Sequence, residues 1–275
     1  MRINRNLVLG FVVFTGLGTA IFFLPKAVVN NKKMANRDSA ASASKVAEPE
    51  VDHTLDSTML SGIEELKKEI STIKVEKEKS KMYTRLADTF LKANRFDSAG
   101  AYFEKASELT ADPKLVYKSG SAYFEGITFA SNPTKVEYLS EKARELFDKI
   151  EGNDPNSVEA QGKIAMTWVN SETPMKGILK LRELADKNPK NEYLAYQLGM
   201  LSFQSGQFEK AVARFESVIM LNKQNVNAFF YLAQSLKEMG KTKEALAAVN
   251  NGLTLVKEED TKASFLELKK QLTEN

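Results

Sequence analysis

Small residues return at a fixed interval of 34 along the chain: Ala143, Gly177, Ala211 and Ala245 form one series, and Ala165, Gly199 and Ala233 form another. A single globular core does not need that regularity, whereas a chain of equivalent stacked units does. Large residues keep step with them. Four places after the second small site of each unit stand Phe103, Phe147, Leu181, Phe215 and Val249, and three places after the first stand Phe90, Tyr123, Trp168, Ser202 and Leu236. Glycine inside a helix costs roughly 1 kcal/mol relative to alanine, so Gly199 must be offset by something that approaches its backbone. A second helix does this when two helices pack at the close end of the usual interaxial range of about 8 to 10 Å. Gly206 and Gly240 fall between the apolar runs, where a tight helix–helix connection needs a positive φ.

These residues resemble the tetratricopeptide repeat (TPR), whose units pair two antiparallel helices with small residues where they touch. The recurring sites are Ala87, Ala99, Gly120, Ala143, Ala165, Gly177, Gly199, Ala211, Ala233 and Ala245. The resemblance covers 80–259 and divides into 80–113, 114–157, 158–191, 192–225 and 226–259, with Pro155 and Pro189 at unit ends where the family often has proline. Lys223, Lys257 and Ser202 depart from that pattern. The expected fold is all-α: a TPR α-solenoid of about five helix-turn-helix repeats, preceded by a single N-terminal transmembrane helix. One unit cannot bury its apolar face alone, so stacking makes the core continuous.

The second unit breaks the spacing. Tyr123 and Ala143 are 20 apart, where Ser202 and Ala211 are nine apart. Within the extra length, Asn132 and Pro133 mark a helix start, followed by Val136, Leu139, Ala143, Leu146 and Ile150 at helical spacing. The 124–142 insertion is therefore expected to lengthen both helices into a protrusion, either a docking knob or an inert length variation. The segment 59–79 carries the stripe Ile63, Leu66, Ile70 and Ile73, which suits a helix capping the first repeat or a short coiled-coil contact between copies. At the other end, 260–275 has Phe265, Leu268 and Leu272 as the stripe of a C-terminal capping helix.

Residues 1–37 are expected to be a membrane anchor. Leu7 to Leu24 contains no charged residue, and Asn6 and Pro25 extend the uncharged run, giving a transmembrane helix at about 6–25. At roughly 1.5 Å per residue the run matches a bilayer core of about 30 Å. A cleaved signal peptide has a shorter apolar region and a small-residue cleavage site, and the following "PKAVVNNKK" offers none. The polar 38–58 is expected to be a flexible spacer with a reach of roughly 25 Å. A basic tip, Arg2 and Arg5, ahead of the apolar run suits a single-pass inner-membrane protein with an exported, periplasmic C-terminal domain. Lys26, Lys32, Lys33 and Arg37 on the other flank keep the cytoplasmic orientation as the alternative.

Charge and composition narrow the function. The six basic residues of 1–37 leave 33 basic against 36 acidic residues beyond, so the body gives no bulk case for nucleic-acid binding. No cysteine is present, which excludes disulfides, thiolate metal sites and cysteine nucleophiles. The single histidine, His53, lies in the polar spacer. An enzyme, a metal site and a cofactor are therefore not expected. The resemblance implies protein or peptide partners held in a groove lined by the first helix of each unit. By register it places Met166, Tyr193, Tyr196, Met200, Phe203, Phe230 and Gln234 there. Some family members grip a terminal carboxylate with lysine and asparagine on these helices, but here Thr84, Asp88, Gly162 and Met166 occupy the matching positions, so that clamp is not expected. The expected role is an anchored interaction adaptor in envelope assembly, secretion or cytochrome maturation. Alternatives are a cytoplasm-facing receptor or co-chaperone, and a homo-oligomeric scaffold assembled through 63–73.

Overall fold

The computed structural model describes residues 57–152, 154 and 156–274. The anchor expected at 6–25, and the spacer apart from its last two residues, lie outside them. Among the described residues no helix is long and apolar enough to cross a membrane.

The described chain is helical throughout: α1 (Ser57–Thr72), α2 (Glu76–Lys92), α3 (Phe96–Thr110), α4 (Pro113–Gly126), a 3-10 turn (Ile127–Phe129), α5 (Pro133–Asp148), α6 (Ser157–Val169), α7 (Pro174–Lys187), α8 (Glu192–Gln204), α9 (Phe208–Leu221), α10 (Val226–Glu238), α11 (Thr242–Leu253) and α12 (Glu259–Thr273). Each helix packs on the next, and α4, α6, α8, α10 and α12 also touch in succession. Consecutive hairpins stacked in this way form an all-α solenoid.

Local chemistry sets the boundaries. The side chains of Asp112, Asn132, Asn191 and Asn225 accept from backbone amides in the first turns of α4, α5, α8 and α10, at 2.8 to 3.0 Å. Proline opens α4, α5 and α7, where its missing amide hydrogen is not needed. Three hairpins end their first helix identically. Arg95, Gln207 and Lys241 donate their amides five residues back, to Phe90, Ser202 and Leu236, at 2.8 to 2.9 Å. The residue before each donor is left-handed: Asn94 at φ 55°, Gly206 at 70° and Gly240 at 72°. Ala111, which ends α3, has φ 50° without the freedom of glycine. An L-residue there costs roughly 1 to 2 kcal/mol. Ala111→Gly is therefore expected to raise stability by about 1 kcal/mol in urea unfolding, against the usual penalty for adding a glycine.

The core sits at the helix crossings. Ala87, Ala99, Ala143, Ala165, Ala211, Ala233 and Ala245 are all 0% exposed, and Gly120, Gly177 and Gly199 are buried with them. The large partners Phe103, Phe147, Leu181, Phe215 and Val249 are likewise 0% exposed. At α8–α9 the polar Ser202 is buried because Arg214 fills the space: its guanidinium donates to the Leu198 carbonyl at 2.7 Å and to the Ser202 hydroxyl. Burial, with Arg182 nearby, lowers the Arg214 pKa.

Both ends are covered. Ile63 and Ile70 of α1 are buried in one cluster with Met82, Leu86 and Phe103, and Leu66 and Ile73 pack beside them. At the other end, Phe265, Leu268 and Leu272 of α12 join the cluster of Phe229, Leu232 and Val249.

The insertion takes a different form from the expected protrusion. α5 starts ten residues before Ala143, whereas α9 starts three before Ala211, so most of the extra length is added to the start of α5. That extension lies against the preceding hairpin. Lys135 pairs with Asp97 at 2.6 Å, Lys142 pairs with Glu104 at 3.2 Å, and Phe129 stacks on Phe96 at 5.0 Å. Burial raises the Asp97 pKa, but the bond and charge of Lys135 outweigh it and leave the group below its ordinary value.

Candidate functional site

The first helices of the successive hairpins share one face, and the residues assigned to it by register come from α6, α8 and α10. All seven are half-buried. Met166 and Tyr193 pack on the cluster around Leu181 and Leu194, while Tyr196, Met200, Phe203 and Phe230 pack on the one around Phe215 and Leu232. Gln234 lies on α10, one turn beyond Phe230.

An aromatic web ties α8 and α10 together, and its hub, Tyr231, was not among the expected residues. Its ring stacks on Phe215 at 5.7 Å and meets Phe203, Phe230 and Tyr196 edge-on at 5.5, 5.7 and 6.4 Å. Phe203 also meets Phe208 across the turn, and Phe230 meets Phe265 of α12 at 5.1 Å. Each aromatic therefore has one edge committed to the repeat interface, and edge-to-face pairs of this kind add about 0.5 to 1.5 kcal/mol beyond area burial. The side chains that line this face also pack its helices together. Burial first, then the charge of the neighbouring Tyr231 hydroxyl, pushes the Tyr196 hydroxyl up to about 12.

Toward the first turns of the same helices, a cavity of about 360 Å³ is lined by Glu159 of α6, Glu192, Tyr193 and Tyr196 of α8, and the capping residues Asn191 and Asn225. Glu192 accepts from the side-chain amides of Asn222 at 3.0 and 3.1 Å and of Asn225 at 2.7 Å. Glu159 pairs at 3.2 Å with Lys163, which is only 7% exposed and also donates to Tyr117 at 3.1 Å and Ser121 at 3.0 Å. The Tyr193 hydroxyl is buried with no hydrogen-bond partner. Burial first, then the charge of Glu159, raises its pKa.

This polar end was not anticipated, although Asn191 and Asn225 are themselves 34 apart and so carried a signal. At two of the positions matched by register to a carboxylate clamp, Asp88 faces Lys118 at 4.0 Å, and Gly162 lies beneath the Tyr193 ring. Among the described residues no group of three or more histidine, cysteine, aspartate or glutamate side chains could hold a metal ion.

Two stretches match known families. Residues 80–113 match the tetratricopeptide repeat, and residues 179–252 match anaphase-promoting complex, cyclosome, subunit 3. No curated protein matches the chain. Among solved structures, TTC0263, a thermophilic TPR protein of Thermus thermophilus, is similar with TM-score 0.51 and 20% identity, over 69% of this chain and 98% of that one. A tetratricopeptide repeat protein from Parabacteroides merdae has TM-score 0.51 and 15% identity, over 78% and 79%. The APC/C hetero-tetramer Cut9–Hcn1 has TM-score 0.52 and 12% identity, over 77% of this chain and 40% of that one. Residues 80–113 thus match the tetratricopeptide repeat, and the described residues share the helical repeat fold of these solved structures.

Proposed function

We propose that this protein is a non-enzymatic adaptor that holds a segment of another protein along the face lined by its first helices. The observation that carries the reading is the unbroken succession of α4, α6, α8, α10 and α12, with half-buried Tyr196, Met200, Phe203 and Phe230 along it. Aromatic and methionine side chains give adaptable contact area, and rigid aromatic anchors concentrate binding energy. The uncharged run from Leu7 to Leu24 supports attachment to the inner membrane, with the solenoid exported and acting in envelope assembly, secretion or cytochrome maturation. An alkaline phosphatase fusion after Asn275 tests the orientation, being active only when the solenoid is exported.

The groove itself is tested by crosslinking in native membranes and recovering the full chain. Tyr196→Ala is expected to reduce partner recovery by about tenfold, the effect of losing one aromatic anchor. Recovery equal to wild type for both Tyr196→Ala and Met200→Ala would remove the groove from the reading.

A further inference from the structure

The cavity at the start of α6, α8 and α10 contains a charge that the fold orients but does not cancel. Glu192 is held by the neutral amides of Asn222 and Asn225, and no lysine or arginine among the described residues pairs with it. Amide donors fix the direction of a carboxylate while leaving its negative charge in place. On another wall, Glu159 supplies a second carboxylate, whose partner Lys163 is shared with Tyr117 and Ser121. Tyr196 stands four residues after Glu192, on the same side of α8, so its ring borders the space that the carboxylate faces. The uncancelled carboxylate of Glu192, with a second carboxylate on another wall and an aromatic ring beside it, suits a partly exposed cationic side chain.

We infer that this cavity takes a lysine or arginine side chain of the bound partner segment, its cationic head between Glu192 and Glu159 and its stem along Tyr196. The inference rests on the groove reading above and adds a selection rule to it. The aromatic web supplies affinity for an extended segment without regard to charge. The cavity at its end sets which segments are accepted and fixes their register.

The test uses the full chain and three pools of short resin-bound peptides that are random except at a central position fixed as lysine, norleucine or glutamate. Norleucine keeps the stem of lysine without its charge. Retention on the lysine pool is expected to exceed that on the norleucine pool by about fivefold, the scale of a partly exposed charge pair, and the glutamate pool should retain least. Raised salt should narrow the difference. The variants Glu159→Gln and Glu192→Gln, combined, should bring the lysine pool down to the norleucine level. Glutamine at 192 still accepts from Asn222 and Asn225, so an unchanged helical circular dichroism spectrum separates lost selection from lost fold. Equal retention of lysine and norleucine pools overturns the inference while leaving the groove intact, provided that Met200→Ala weakens both. Preference for lysine that survives the double variant also overturns it. Binding to none of the pools, or binding indifferent to Met200→Ala, removes the groove reading together with the selection rule.

Discussion

Gly177→Leu is expected to destabilise the protein by about 3 kcal/mol and to open the α6–α7 hairpin before the rest of the solenoid. A Cβ at position 177 would fall inside contact distance of the Ala165 carbonyl oxygen and the Val169 amide nitrogen, so it collides with the backbone of α6. A flexible side chain can swing away from an added methyl group, but a helix backbone can yield only by separating the two helices. Alanine at the same place would recover about 1 kcal/mol of helix propensity, which does not offset that separation, and a net loss of about 1 to 2 kcal/mol is expected. Gly62 in α1 is the control. Nothing lies within 4 Å of a Cβ built there, so Gly62→Ala should stabilise by about 1 kcal/mol. Urea unfolding followed by circular dichroism reads both signs. Hydrogen exchange should place the loss of protection at Gly177→Ala in α6 and α7.

Phe215→Ala should cost about 3 to 5 kcal/mol, the range for emptying a fully buried aromatic site. Its ring is 0% exposed, covers Gly199, stacks on Tyr231 and meets Tyr196 at 5.9 Å. Removing it leaves a void beneath the aromatic web that presents Tyr196 and Phe203. Partner binding should therefore weaken at temperatures where the variant is still folded, a coupling that a residue of the core alone would not show. Met220, on the same helix but 74% exposed, should change stability by less than about 0.5 kcal/mol on replacement by alanine.

The sequence revealed most where geometry leaves one choice. A close helix crossing admits only glycine or alanine, so Ala143, Gly177, Ala211 and Ala245 announce the hairpins through their spacing alone. The left-handed turn residues Gly206 and Gly240 are legible because glycine adopts that φ without strain, whereas Asn94 in the equivalent turn carries no such mark. Ser202 was legible only as a departure, because its partner Arg214 comes from the facing helix and no periodicity marks a guanidinium in a core. The insertion showed its length but not its packing. Lys135–Asp97 and Lys142–Glu104 depend on where α5 lies across α3, which charged residues read in one dimension do not specify. The cavity was hidden likewise: Glu159 and Glu192 look like ordinary acidic residues in helix first turns, and only stacking brings them to one space. Tyr231 was missed beside Phe230 because the register assigned the face to its neighbour, whereas the structure uses Tyr231 as the centre of the web.

Site-specific photo-crosslinking in cells distinguishes the groove from the outer helices most directly. A photoreactive residue at Met200 or Gln234, on the first-helix face, is expected to give a discrete adduct with a partner protein. The same residue at Met220 or Leu179, exposed on the second helices at 74% and 59%, is expected to give none. Adducts formed from Met220 or Leu179 but not from Met200 or Gln234 would contradict a groove lined by the first helices.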